Sequence, residues 1–142
     1  MDYARAVRLK KMKTYEEKQR LEERMHADQK VDHARQHVSD LRAEQEIAFA
    51  QLHRGARTAA DFQQWARYDE ALREKEGLAL HQLEECVDEA NQASEAVFRA
   101  YQDVYRFRQL AELERSRLQK ERLSREWHAL DEWVLNRSVT NP

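Results

Sequence analysis

Three residues in this chain are strong helix breakers: Gly55, Gly77 and the last residue, Pro142. Folds built from strands need a turn every ten residues or so, and turns draw on Gly, Pro, Asn and Asp. A sandwich, a barrel or an α/β fold is therefore excluded. Ala, Glu, Lys, Arg and Leu make up 76 of the 142 residues, the composition of a long helix or coiled coil. Leu, Ile, Val and Phe together number 27, too few for a globular core at this length. Poverty of this kind with a high net charge would mean disorder, but the net charge is only −2. What remains is an all-α chain that buries a narrow seam.

The spacing predicts two long helices forming an antiparallel coiled-coil hairpin, a single elongated domain over residues 1–142. Helix 1 is expected over about 2–53, with Asp2 as its N-cap. A corner follows at 54–58, where Gly55 suits the residue just past a helix C-terminus. Thr58, followed by Asp61, reads as the cap of a second helix over about 59–137. Gly77 falls inside that helix, and Ser138–Pro142 is expected to fray. At ~1.5 Å per residue the helices measure roughly 75 and 115 Å. Val31, Ala34, Val38, Leu41, Gln45, Ala48 and Leu52 give the cleanest stripe on helix 1. Upstream, Tyr3, Val7, Met12, Leu21 and Met25 keep no single register. On helix 2 the seam is expected to include Phe62, Trp65, Leu72, Leu83, Val87, Ala90, Val97, Tyr101 and Val104. Folding at the corner pairs residues whose numbers add to about 113: Leu52 with Phe62, Leu41 with Leu72, Val31 with Leu83, Val7 with Phe107.

That pairing exhausts helix 1 at about Leu110. Residues from about Ala111 onward then have no partner in the chain, yet they carry Leu123, Trp127, Leu130 and Val134 at spacings of four, three and four. A stripe of that kind calls for another molecule. Charge is uneven as well. Arg5, Arg8, Lys10, Lys11 and Lys13 make the N-terminal end basic, and Lys120, Arg122 and Arg125 flank the overhanging stripe. Residues 69–95 hold nine acids and two bases. At the corner, Phe49, Phe62, Trp65 and Tyr68 crowd within about two turns. They form either an exposed contact patch or a small core packed by the corner itself.

Nothing in the pattern points to catalysis, and the chain is expected not to be an enzyme. A seam-only core leaves no room for a ligand pocket, so no small-molecule substrate and no cofactor are expected. His33 and His37 lie one turn apart, with His26 two turns before, but they read as exposed histidines and not as a metal site. Cys86 reads as a seam or flank residue, and one cysteine suits a reducing compartment. No apolar run approaches the ~18–20 residues of a membrane span, and the residues after Met1 lead us to expect no secretory signal peptide. The basic N-terminus is followed at once by Glu16, Glu17, Glu22 and Glu23, which argues against nucleic acid.

Three segments carry a resemblance to a known family. Phe62-x-x-Trp65-x-x-Tyr68-x-x-x-Leu72 resembles the aromatic run after the corner in the FliJ/YscO family, the central-stalk proteins of flagellar and injectisome type III secretion. Leu72-Arg73-Glu74-Lys75-Glu76 looks closer to the injectisome branch, whose members serve virulence. Leu130-Asp131-Glu132-Trp133, with Arg137 beyond, is similar to the ending of the flagellar branch. The resemblance implies a cytoplasmic, non-enzymatic stalk associated with an inner-membrane secretion apparatus, peripheral to the membrane through its partners. Those partners would be a hexameric export ATPase, the cytoplasmic part of the membrane export gate, and secretion chaperones. It implies ATPase binding by Arg5, Arg8, Lys11, Leu123, Trp127, Leu130, Trp133 and Val134. It implies gate binding by Gln45, Phe49, Phe62, Trp65, Tyr68 and Leu72, with further gate positions falling on Lys75 and Ala79. The alternative is a generic structural coiled coil, or a chaperone-like adaptor, that self-associates through the overhang.

Overall fold

The computed structural model describes the backbone of residues 2–140 and the side chains of residues 2–138. It consists of α1 (Tyr3–Ala50), a π-helical turn (Gln51–Gly55) and α2 (Ala59–Thr140). The described residues contain no strand. The chain is an all-α, antiparallel two-helix hairpin whose second helix is the longer, as the sequence predicts. Both helix starts carry their expected caps. The Arg5 N–H donates to Asp2 Oδ1 at 2.7 Å, and the Asp61 N–H donates to Thr58 Oγ1 at 3.1 Å. Each satisfies an amide that the first helical turn leaves unpaired.

The corner is built differently from the expectation. Gly55 has no left-handed backbone; no described residue has a positive φ. The helix instead widens by one residue per turn. The Ala56 N–H donates to Gln51 O at 2.9 Å, an i to i−5 bond, and Ala56 then turns extended at φ −74°, ψ 111°. At the far end Ser138–Thr140 continue the helix where fraying was expected. Asn141 and Pro142 lie outside the described residues.

Packing divides the chain into two units: residues 20–97, and residues 1–19 with 98–142. In the first, Val38, Leu41, Ala48, Leu72 and Ala79 form one buried cluster, with Trp65 and Leu83 against it. Ala27, Val31 and Ala90 form another, flanked by Leu83, Cys86, Val87 and Ala93. Leu41 and Leu72 share a cluster, and Val31 lies with Leu83, as the pairing predicts. Polar contacts across this seam join residues whose numbers add to between 112 (Glu44 with Tyr68) and 121 (Gln45 with Glu76), with Gln45 to Leu72 O, Arg42 to Glu76 and Lys30 to Glu89 at 117–119, so they scatter around the expected 113 and mostly lie up to two turns beyond it.

In the second unit Ala6, Val104 and Ala111 are buried, and Lys13 Nζ lies 3.7 Å from an Asp103 oxygen. Six of the eleven buried apolar residues among those described are alanines. Alanine seams explain where the larger-residue reading failed. Tyr3, Met12, Leu21 and Met25 are exposed because Ala6 and Ala27 occupy the seam near them. Phe62 and Tyr101, expected in the seam, are 55% and 61% exposed. Ala111 is buried, so the exposed stretch begins at Arg115 and not at Ala111.

Candidate functional sites at the corner and on the C-terminal helix

The corner aromatics separate onto two sides of the seam. Trp65 is half-buried against the Leu72 cluster and meets Tyr68 edge to face, their ring centres 5.8 Å apart. The Tyr68 hydroxyl donates to Glu44 Oε2 at 3.4 Å. Glu44, Ile47, Gln64, Trp65 and Tyr68 line a groove of about 480 Å³. That volume falls in the range of a ligand pocket, larger than a seam-only reading allows, although its walls are the two helices alone. On the other side, Phe49 stacks on His53 at 4.0 Å, and the His53 Nδ1 lies 3.0 Å from Phe49 O. Phe62 is two turns before Asp69 and so shares the stripe of Asp69 and Arg73, which line a second groove with Phe49.

The corner aromatics divide by exposure: Trp65 is half-buried, as a small core requires, and the other three are exposed, as a patch requires. Phe49, Phe62 and Tyr68 are 58%, 55% and 42% exposed and offer surface. Leu72 is 1% exposed and is the one large side chain fully buried among the described residues. It supports the patch from beneath and has no surface to present. Ala79, at 4%, is seam as well. Gln45 is half-buried and occupied: its Nε2 donates to Leu72 O at 3.5 Å and to the Glu76 carboxylate. With Arg42 Nε 3.2 Å from the same carboxylate, Glu76 is held below the ordinary carboxylate range, first by the Gln45 hydrogen bond and then by Arg42. Sequence reasoning missed Ile47, which is 60% exposed beside buried Ala48; its signal is an aliphatic residue one position off the seam.

The second site is the exposed end of α2. Every described residue from Arg115 to Ser138 is exposed. Leu123, Trp127, Leu130 and Val134 are 54%, 66%, 53% and 55% exposed, on one face of the helix. Trp133 sits on the shoulder of that face, about 80–100° round at ~100° per residue, with the Arg137 guanidinium 5.1 Å from its ring centre. Arg122 Nε lies 3.3 Å from Glu126 Oε1, and Arg117 lies 3.0 Å from Glu114. Arg5, Arg8 and Lys11 are exposed on the first turns of α1 in the same unit. That unit carries 15 cationic and 10 anionic side chains, against 10 and 17 in the other.

His33, His37, Cys86, Glu85 and Glu89 line one groove, yet among the described residues no three such side chains converge on a metal site. Glu85 is engaged by His81 at 3.2 Å and Glu89 by Lys30 at 3.6 Å. Cys86 is half-buried on the flank of the seam, as its position predicts. No described helix is long and apolar enough to cross a membrane. Comparison with family models, curated proteins and solved structures returns no match.

Proposed function

We propose that the chain is a non-enzymatic central stalk of a type III protein secretion system, cytoplasmic and attached to the inner-membrane apparatus through its partners. In this reading the end of α2, with Arg5, Arg8 and Lys11, binds the hexameric export ATPase and promotes its assembly. The corner binds the cytoplasmic part of the export gate through Phe49, Phe62, Trp65 and Tyr68. Secretion chaperones are further partners. The support is the sequence resemblance together with one structural observation: twenty-four consecutive exposed residues, 115–138, that present a four-residue apolar face with a tryptophan. A face of that kind gains by docking into a partner, since burying each large side chain is worth about 1.5–3 kcal/mol.

The mechanism is mass action. A stalk that binds the assembled ring and not its separate subunits stabilises the ring by the free energy of that binding. Co-purification with a hexameric export ATPase tests the reading. Wild type should be retained by the ring, Trp127→Glu should be lost, and Tyr68→Asp should be retained. Retention of Trp127→Glu at wild-type level would contradict it.

A further inference from the structure

The apolar face of the exposed α2 segment is bounded by a cation at each end. Continuing its alternation of three and four, the position before Leu123 is Lys120 and the position after Val134 is Arg137. Both are exposed, and Arg137 is held over Trp133. The two cations are 17 residues apart, roughly 25 Å along a helix at ~1.5 Å per residue.

This arrangement bears on what can cover the face. An antiparallel second copy that matches Leu123 with Val134 and Trp127 with Leu130 brings Lys120 against Arg137 at both ends. A parallel copy sets Lys120 on Lys120 and Arg137 on Arg137. Either way, like charges meet at both ends of the contact. In the antiparallel case the flanking positions set Glu126 beside Trp133 and Asp131 beside Ser124, so neither acid of the flanks is placed against Lys120 or Arg137 of the other copy. We infer that Lys120 and Arg137 select against self-pairing of this helix, and that its occupant is a different protein surface, apolar in the middle and carrying a carboxylate at each end. Like charges facing each other disfavour the wrong partner, and the same two cations attract the right one.

The inference rests on the reading of this segment as a docking surface and names the chemistry of the partner. The full-length double variant Lys120→Glu, Arg137→Glu is a partner of that chemistry, because it carries the same apolar face with acidic ends. By sedimentation or fluorescence anisotropy, wild type should bind the double variant at least about tenfold more tightly than either chain binds itself, since two repulsive contacts become two attractive ones. The preference should shrink with added salt. The single variant Lys120→Glu should self-associate, because the introduced carboxylate of each copy meets Arg137 of the other. Equal self-association of wild type, or failure of the mixed pair to form, overturns the inference. Loss of ATPase binding alongside an intact charge-swap pattern would sink the stalk reading and leave this one standing. ATPase binding without the pattern would do the reverse.

Discussion

The side-chain amide of Gln45 on α1 reaches across the seam and donates to the carboxylate of Glu76 on α2. Arg42 approaches the same carboxylate from one turn earlier, and both lower the pKa of Glu76. A carboxyl whose folded pKa is depressed contributes stability above its ordinary value, near 4.5, and loses it as pH falls through the lower folded value. Glu76→Gln should therefore lower Tm at pH 7, and the gap from wild type should close on acidification below the ordinary carboxylate range. Thermal melts followed by circular dichroism at pH 7 and in acid check it; a gap that is constant with pH would show that the carboxylate charge contributes nothing.

Gly55 and Gly77 are replaceable. Neither has a positive φ, and a Cβ on Gly77 has open space around it. Gly77→Ala should stabilise the helix by about 1 kcal/mol. A Cβ on Gly55 meets only the Gln51 side chain, closely at its flexible amide end, which can swing aside, and at ordinary contact distance at its Cβ. Gly55→Ala should leave Tm within a few degrees. A drop of ten degrees or more would mean that the corner needs a left-handed residue after all.

Tyr68 and Leu72, one turn apart, should behave oppositely. Tyr68→Asp alters an exposed residue and should cost no more than about 0.5–1 kcal/mol. Leu72→Ala opens a cavity in the seam and should cost about 2–4 kcal/mol. In gate-binding assays Tyr68→Asp should lose binding at unchanged helicity. Similar destabilisation by both substitutions would make the corner aromatics a core and remove the contact patch.

Thr58 is the cap on which α2 starts. Thr58→Ala should cost about 1 kcal/mol and Thr58→Ser much less, because only the hydroxyl acceptor for the Asp61 amide is lost in the first. Equal melting of the two variants would assign the helix start to Asp61 alone.

The helices, their caps and the seam of α1 were legible because each rests on local spacing. Val31, Val38, Leu41 and Ala48 are buried, and Ala34, Gln45 and Leu52 half-buried, as their three-four alternation requires. The corner was less legible, since a π turn has no signature that separates it from a glycine-capped end. The seam near Ala6 and Ala27 escaped a reading that ranked large side chains first, because alanine is common on every face of this chain. Of the candidate sites, the apolar stripe at the end of α2 stood out in the sequence as a periodic face beyond any pairing. The corner patch was legible only as a crowd of aromatics, because which of Phe49, Phe62, Trp65 and Tyr68 face outward depends on a register that only the packing sets. Leu72, a seam position by its periodicity and a gate position by resemblance, is buried in the Val38–Leu41–Ala48 cluster.

The most direct test of the stalk reading is a titration of the hexameric export ATPase with the full chain, with Leu123→Glu, Trp127→Glu, and with a chain ending after Glu114. Wild type should raise ATP hydrolysis to a plateau. The two Glu variants should raise it far less at near-wild-type helical content, and the shortened chain should leave it at the basal rate. Full stimulation by the shortened chain would contradict the claim that residues 115–138 are what the ring binds.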